Sequence, residues 1–320
     1  MLALAQPENE PNAGLEQAAE SARAYLRQAK AENTVRAYHS DWRHFTAWCG
    51  EHQRTVLPAT PETISLYLSQ LAATHRTPSL TRRVSAISQA HQTSGYASPT
   101  QTSLVRTLMA GIRRAKGTAS ATKAPTLTED IRRMVAAVPE NLLGLRDRAL
   151  LLVGFAGGFR RSELVGLDRE DCEFTKDGLI VVLRRSKMDQ EGCGRKIAIP
   201  YGSNLETCPV RTLEAWLSTP ALEQGPLFRP VSRHGQIQAA RLSGHAIALV
   251  VKRYAMAAGL DPLKYSGHSL RSGLATSAAI NGASERSIMA QTGHRSVAMV
   301  RRYIRDGNLF RENAAAKLGL

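Results

Sequence analysis

The sequence has no apolar run approaching the ~18 to 20 residues that a helix needs to cross a bilayer, and no basic-then-apolar start. Those absences argue against a membrane span and a secretory signal, and the expectation is a soluble, cytoplasmic protein. Cysteine is scarce: positions 49, 172, 193 and 208 form no Cys-x-x-Cys pair and have no histidine at zinc-site spacing. A disulfide framework and a structural zinc site are both disfavoured, and free thiols in a reducing compartment are expected. Aromatics make up only 5% of the chain. There is no GxxxxGK[ST] loop to cradle a nucleotide and no carboxylate cluster spaced for two metal ions. No internal repeat or low-complexity segment is found.

What the chain has in excess is positive charge. The formal net is +15 over 320 residues, a length that suits two domains. The charge is uneven: residues 1–20 hold four Glu and no Lys or Arg, whereas residues 21–124 hold 14 basic residues against 4 acidic. The remainder is basic as well. Positive surface spread over two domains suits a long polyanion better than a small anion. Charge alone leaves a generally basic soluble protein equally open.

Residues 1–14 are polar and acidic and read as a disordered tail. Helical signals follow over roughly 15–30, 34–49, 61–74, 79–94 and 99–116. Thr60-Pro61 reads as an N-cap with Pro at the first helical position, Ser98-Pro99-Thr100-Gln101 as a capping box, and Gly95 and Gly117 as stops. The stretch GTASATKA at 117–124 has linker composition and sets the boundary between a domain at 15–116 and one at 125–320. In the second, helices are expected at 128–138, 143–157, 160–167, 208–218, 243–258, 269–281, 284–292 and 296–305. LIVVL at 179–183 and KIAIP at 196–200 read as a β-hairpin around SKMDQEGCGR. The fold class is therefore mainly α with a small antiparallel β-sheet.

Several residues can do chemistry, and each has a bland explanation when taken singly. His268 and Arg271 in GHSLRSG lie three apart near a helix start, hence on one face; a capped surface helix explains them equally well. Arg160 follows a Gly157-Gly158 stop, and Glu163 on the same face can hold its guanidinium, as any i,i+3 pair can. Lys187 sits at the hairpin tip, where solvation is the ordinary fate of a lysine, although a lysine in a phosphate site can protonate a leaving oxygen. Tyr303 is rotated about one residue off the apolar stripe of Val297, Val300 and Ile304, which places it at a core edge. His294 precedes it in TGHRSVAMVRRYIRD, and Arg301-Arg302 look incidental.

Taken together, Arg160, Lys187, His268-x-x-Arg271, His294 and Tyr303, in that order and on those elements, resemble the tyrosine recombinase (phage integrase) family. GFRRSELVGL, the SKMDQEG turn, GHSLRSG and TGHRSVAMVRRYIR carry the resemblance, which covers nearly the whole chain; FTAWC, PATPETISLYLSQL and QTSG extend it into the N-terminal half. It implies a two-domain C-shaped clamp, a helical core-binding domain joined to an α/β catalytic domain, that cleaves and rejoins DNA through a 3′-phosphotyrosine and a Holliday junction without metal, ATP or cofactor. Tyr303 would be the nucleophile, with Arg160 and Arg271 binding the non-bridging oxygens and His294 adding a hydrogen bond. Lys187 would be the general acid, His268 the base and Glu163 an orienting carboxylate. Arg161 and Lys196 stand close enough to Arg160 and Lys187 to share those roles.

The resemblance also implies DNA contacts by Arg36, Arg43, Arg82, Arg83 and His245, for which a solvated basic face is the alternative. The partners implied are double-stranded DNA with inverted-repeat half-sites and further copies of the chain, a dimer per site and a tetramer on two sites, with residues 308–320 as a docking tail helix. The localisation implied is cytoplasmic and nucleoid-associated, in a bacterial, phage or mobile-element setting. A type IB topoisomerase-like nicking and joining enzyme, or a catalytically silent DNA-binding protein, are the competing readings.

Overall fold

The computed structural model describes residues 31–117, 123–184 and 194–307, with residues 17, 18, 20–22, 25 and 318 besides. The chain divides into two compact units, Met1–Ala121 and Thr122–Leu320. The proposed tail at 1–14 and tail helix at 308–320 lie outside the described residues, apart from Leu318.

In the first unit the described helices are α1 (Glu32–Glu51), α2 (Pro61–Ala72), α3 (Thr77–Thr93) and α4 (Ser103–Lys116). Thr60 Oγ1 accepts the Thr63 N–H at 3.2 Å with Pro61 at the first helical position, so α2 starts as its sequence dictates. The expected capping box at Ser98 does not open one long helix. Thr102 adopts ψ 154°, which ends a short 3-10 turn at Pro99–Gln101 and restarts the chain as α4. The Ser98 hydroxyl donates instead to Ser88 Oγ at 2.8 Å. The core forms where Phe45, Trp48 and Cys49 of α1 meet Ile64, Tyr67 and Leu68 of α2, with Leu80 and Ile87 of α3 and Val105 and Met109 of α4 closing it. The Phe45 and Tyr67 rings meet edge to face at 5.0 Å.

The second unit begins with α5 (Thr128–Ala136), α6 (Leu142–Ala156) and the short α7 (Arg161–Gly166). Three strands follow, β1 (Cys172–Thr175), β2 (Gly178–Leu183) and β3 (Arg195–Pro200), antiparallel in the order β1-β2-β3. The register pairs Cys172 with Val181 and Leu183 with Arg195. Strand β1 was not expected: CEFT is four residues long, with too little alternation to register as a strand. The remaining described helices are α8 (Pro209–Leu217), α9 (Gly244–Ala257), α10 (Gly267–Ile280), α11 (Glu285–Thr292) and α12 (Val297–Gly307).

Helix α6 is the hub of this unit and has almost no polar face; Leu150, Leu151, Leu152 and Val153 are all buried. Its two buried charges satisfy one another: Arg146 Nε donates to Asp147 Oδ1 at 2.8 Å, and the Tyr254 hydroxyl of α9 donates to Asp147 Oδ2 at 2.9 Å. One face of the sheet, Leu179, Val181, Leu183, Ile197 and Ile199, packs into the same core. A smaller cluster of Ala275, Ala279, Ile288, Val300 and Tyr303 binds α10, α11 and α12 together. Among the described residues no helix is long and apolar enough to cross a membrane.

Leu150 is fully buried, so Leu150→Ala removes transfer energy and leaves a cavity, at a cost of about 2 to 5 kcal/mol. The half-exposed Leu249 on α9 supplies the control, since Leu249→Ala should change stability by less than about 0.5 kcal/mol. Urea unfolding of the two variants checks this ordering, and equal midpoints would place Leu150 outside the core.

Candidate active site

The site is built around the N-terminus of α10. Ser266 caps it, accepting the His268 N–H at 3.3 Å, so His268 falls in the first turn and Arg271 one turn later on the same side. Arg271 is only 1% exposed. Its Nη1 donates to the Gly158 carbonyl at 2.7 Å, and its Nη2 is buried with no hydrogen-bond partner. Gly158 has φ +58°, and a Cβ there would lie 2.6 Å from the Leu274 side chain, so the turn presenting that carbonyl requires glycine.

Arg160 is the N-cap of α7. Glu163, three residues on, holds it twice: Oε2 accepts the Arg160 main-chain N–H at 2.8 Å and Oε1 accepts Nη1 at 2.5 Å. One buried carboxylate thus fixes both the backbone and the guanidinium of the same arginine. The Arg160 Nη2 reaches the Gly293 carbonyl at 3.5 Å, which ties this corner to the end of α11.

That end is shaped by Gly293, in the left-handed region at φ 65°, ψ 40°. A Cβ at Gly293 would sit 2.6 Å from the Arg195 guanidinium carbon, because Arg195 fills the space under the turn. Arg195 Nη1 donates to the carbonyls of Ala290 and Gln291, each at 3.2 Å, and Nη2 donates to that of Thr292 at 3.3 Å. A cation on the orphan carbonyls of a helix C-terminus is favoured by hydrogen bonding and by the helix dipole. Arg195 Nη2 also lies 3.9 Å from Glu163 Oε2, so β3, α7 and the α11 turn share one carboxylate. His294 emerges from this turn with Nδ1 2.7 Å from the Thr292 hydroxyl.

Tyr303 is buried in the small cluster, deeper than the core edge its periodicity suggests. Its hydroxyl lies 3.3 Å from His268 Nε2, and its ring centroid lies 5.7 Å from that of His294. Arg302 is not incidental: its guanidinium carbon is 5.6 Å from the Tyr303 ring centroid. Arg301 turns away to an ion pair with Glu285 at 3.1 Å.

The electrostatics follow from crowding three guanidinium groups around one carboxylate. Desolvation, and then the Arg160 charge, lower Arg271 to about 10, which still leaves it cationic at neutral pH. Desolvation, followed by the Arg271 and Arg160 charges, lowers His294 to about 3. His268 reaches solvent at its edge, yet desolvation by its neighbours and then the Arg271, Arg160 and Arg302 charges hold it below the usual imidazole value. Both imidazoles are therefore neutral beside a concentrated positive charge. An unpartnered buried N–H is costly unless a ligand completes it, and the acceptor that fits here is an anionic oxygen. Among the described residues no group of His, Cys, Asp and Glu is placed to hold a metal ion.

A model of the phage integrase family matches residues 126–308, more than half of the chain, and one of the phage integrase N-terminal SAM-like domain matches residues 23–93. The chain belongs to the phage integrase family. Family members are tyrosine site-specific recombinases. An integrase/recombinase xerD homolog from Selenomonas ruminantium is 45% identical over 301 residues, 93% of this chain and 88% of that protein. Recombinase cre of Escherichia phage P1 is 26% identical over 300 residues, covering 88% and 86%. Among solved structures, a lambda integrase dimer bound to a COC′ core site superposes with a TM-score of 0.59 at 18% identity, covering 91% of this chain and 94% of that one. The Tn1549 transposon integrase in complex with a circular intermediate DNA gives 0.61 at 14%, covering 88% and 92%. At those identities the likeness is one of fold.

Of the residues carried over from the family pattern, Arg160, Glu163, His268, Arg271, His294 and Tyr303 come together in this unit; Lys187 lies outside the described residues. Lys196 is exposed on β3 opposite Val182, while the Arg161 side chain runs beside Gly244 and Gly267. In the first unit, Arg36 is exposed and paired with Glu32 at 2.6 Å, and Arg43 is exposed. Arg82 is half-exposed, its Nε and Nη2 gripped by the buried Asp41 at 2.7 and 3.1 Å. Arg83 corrects the expectation that both arginines face outward: it is buried and donates from Nη1 to the Tyr67 hydroxyl at 2.6 Å. One residue of rotation on α3 turns it through about 100°, into the aromatic core. His245 is exposed in the first turn of α9.

Sequence reasoning missed Arg195 and Thr292. Arg195 opens a strand beside the lysine that drew attention, and nothing local marks it as the filler of a turn 95 residues later. Thr292 is an ordinary last-turn residue until its hydroxyl is seen against His294.

Removing the Glu163 charge while keeping its shape strands two guanidinium groups. Glu163→Gln should lower the stability of the folded chain by about 3 kcal/mol, the scale for breaking a buried pair. Chemical denaturation checks this, and an unchanged midpoint would show that Glu163 does not hold Arg160.

Proposed function

We propose that the chain cleaves and rejoins duplex DNA with Tyr303 as nucleophile and Arg160 and Arg271 as the phosphate clamp. The observation that carries this reading is the Tyr303 hydroxyl, 3.3 Å from His268 Nε2, beside a buried Arg271 whose Nη2 has no partner. Tyr303 Oη attacks phosphorus and its proton passes to His268 Nε2. The bond from phosphorus to the 5′-oxygen breaks, Lys187 protonates that oxygen, and a 3′-phosphotyrosine with a free 5′-hydroxyl results. Arg160 and Arg271 bind the non-bridging oxygens as charge builds on them, with His294 alongside. Glu163 keeps Arg160 in place. On the order of 20 kcal/mol must come off the uncatalysed barrier, and each preorganised donor supplies roughly 3 to 4 kcal/mol, so several must act together. The phosphotyrosine conserves the energy of the phosphodiester, so a 5′-hydroxyl reverses the step without ATP, and the guanidinium pair supplies the charge that metal ions supply elsewhere.

Site-specific recombination on this chemistry requires two DNA sites. A dimer on inverted half-sites at each site, a tetramer on the pair and a Holliday junction between the strand exchanges form the assembly we propose. The exposed Arg36, Arg43 and Arg82 of the first unit and His245 of α9 are the candidate DNA contacts. The DNA-bound lambda and Tn1549 integrases that share the fold, and the recombinases that share the sequence, support this reading.

On a nicked suicide substrate carrying the target site, the wild-type chain should form a covalent adduct visible on a denaturing gel. Tyr303→Phe should form none while still retarding the DNA, and excess EDTA should leave the wild-type yield unchanged. An adduct in the Phe variant would reassign the nucleophile.

The depressed pKa of His268 sets a pH limit. A base must be neutral, and a value lowered from 6.5 keeps it neutral to more acid pH, so the acid limb of single-turnover cleavage should fall below pH 6.5. A limb above that value would remove His268 as the base.

A further inference from the structure

The Thr292 hydroxyl is fully buried between two partners. Its Oγ1 lies 2.6 Å from the Ile288 carbonyl oxygen and 2.7 Å from His294 Nδ1. A hydroxyl has one proton and the carbonyl can only accept, so the proton goes to Ile288. The opposite arrangement would press a hydroxyl lone pair against a carbonyl lone pair at 2.6 Å, in a place no water reaches. A lone pair of Thr292 therefore faces His294, and Nδ1 must carry the imidazole hydrogen. Nε2 of the neutral ring is then bare, and among the described residues nothing donates to it. A neutral His294 in this form has no N–H to offer a ligand through Nε2, which differs from the donor role that the family resemblance assigned.

We propose that Thr292 is a positioning residue: it fixes His294 as the Nδ1–H tautomer, so His294 gives a hydrogen bond to an oxyanion in the site only after its Nε2 takes up a proton from solution. The groups facing His294 explain why the proton arrives with the ligand. Arg271 and His268 face it from α10, Arg160 from the start of α7, Arg195 from β3 and the Tyr303 ring from α12. The nearby carboxylate, Glu163, is already bonded to Arg160. Burial, and then these cations, keep the ring neutral. A bound phosphate group brings negative charge among them and favours the imidazolium, so anion binding and proton uptake are coupled and tighten each other as the pH falls. The identity of the oxyanion rests on the function proposed above; the tautomer does not.

Nitrogen-15 histidine spectra read the tautomer directly, with His294 identified among the nine histidines by its absence in His294→Gln. In the wild-type chain at neutral pH, Nδ1 should be protonated and Nε2 bare, and added inorganic phosphate should move Nε2 to the protonated position. Thr292→Ser keeps the hydroxyl and should reproduce both states. Thr292→Val takes the acceptor from Nδ1, so Nε2 should carry the hydrogen before phosphate is added and the phosphate-induced change should be lost. A protonated Nε2 in the free wild-type chain, an Nε2 that phosphate leaves bare, or a Val variant matching the wild type would overturn the proposal. None of these readings requires the covalent adduct, so a failure of the Tyr303 chemistry is recognised separately on the gel.

Discussion

A guanidinium group with one nitrogen left unbonded lies at the bottom of the candidate site, almost out of reach of water, and the surrounding elements are arranged to keep it there. Arg271 enters along α10, is anchored by the Gly158 carbonyl and has the charges of Arg160 and Arg195 close by. Burying three cations together is unfavourable, and the single carboxylate of Glu163 offsets it only in part. Burial and then this surplus positive charge lower both imidazoles, and the surplus favours an anion beside Arg271. The covering structure, with α7 on one side, the α11 turn on another and α12 across the mouth, holds those repelling groups in register.

Much of this was legible in the chain. The helix start at Thr60-Pro61, the β-hairpin and the spacing of His268 and Arg271 are local consequences of capping, alternation and helical pitch, whereas the helix expected from 269 in fact begins at Gly267 behind a Ser266 cap. The Glu163 bond to Arg160 is local as well, three residues apart on a short helix. What local rules do not carry is long-range. Arg195 supports a turn far along the chain, Tyr303 sinks into a cluster made by three helices, and Arg302 acquires a place only through the ring it touches. The first unit makes the same point. Arg82 and Arg83 are adjacent and chemically alike, yet Asp41 holds the first at the surface and Tyr67 draws the second inside. A basic pair in sequence is not a basic pair in space.

The polar groups that are buried divide into two kinds. Arg146, Asp147 and Tyr254 bond to one another, and the Arg229 carbonyl and Arg253 complete the set, which suits a structural role in α6. Arg271 is open at Nη2, whose two N–H donors have no partner. Burial alone does not separate these cases; counting donors against acceptors does. The same count, applied to a single threonine hydroxyl, assigns the hydrogen on His294.

The anchor between Arg271 and Gly158 joins positions 113 residues apart, and the phenol that completes the arrangement comes later still, at residue 303. A polypeptide leaves the ribosome from its N-terminus, and its domains fold in that order. During synthesis the basic helical unit is therefore complete well before the tyrosine exists. On the function proposed above, a growing chain would meet a polyanion before it could cut one, because the nucleophile is carried on the last described helix.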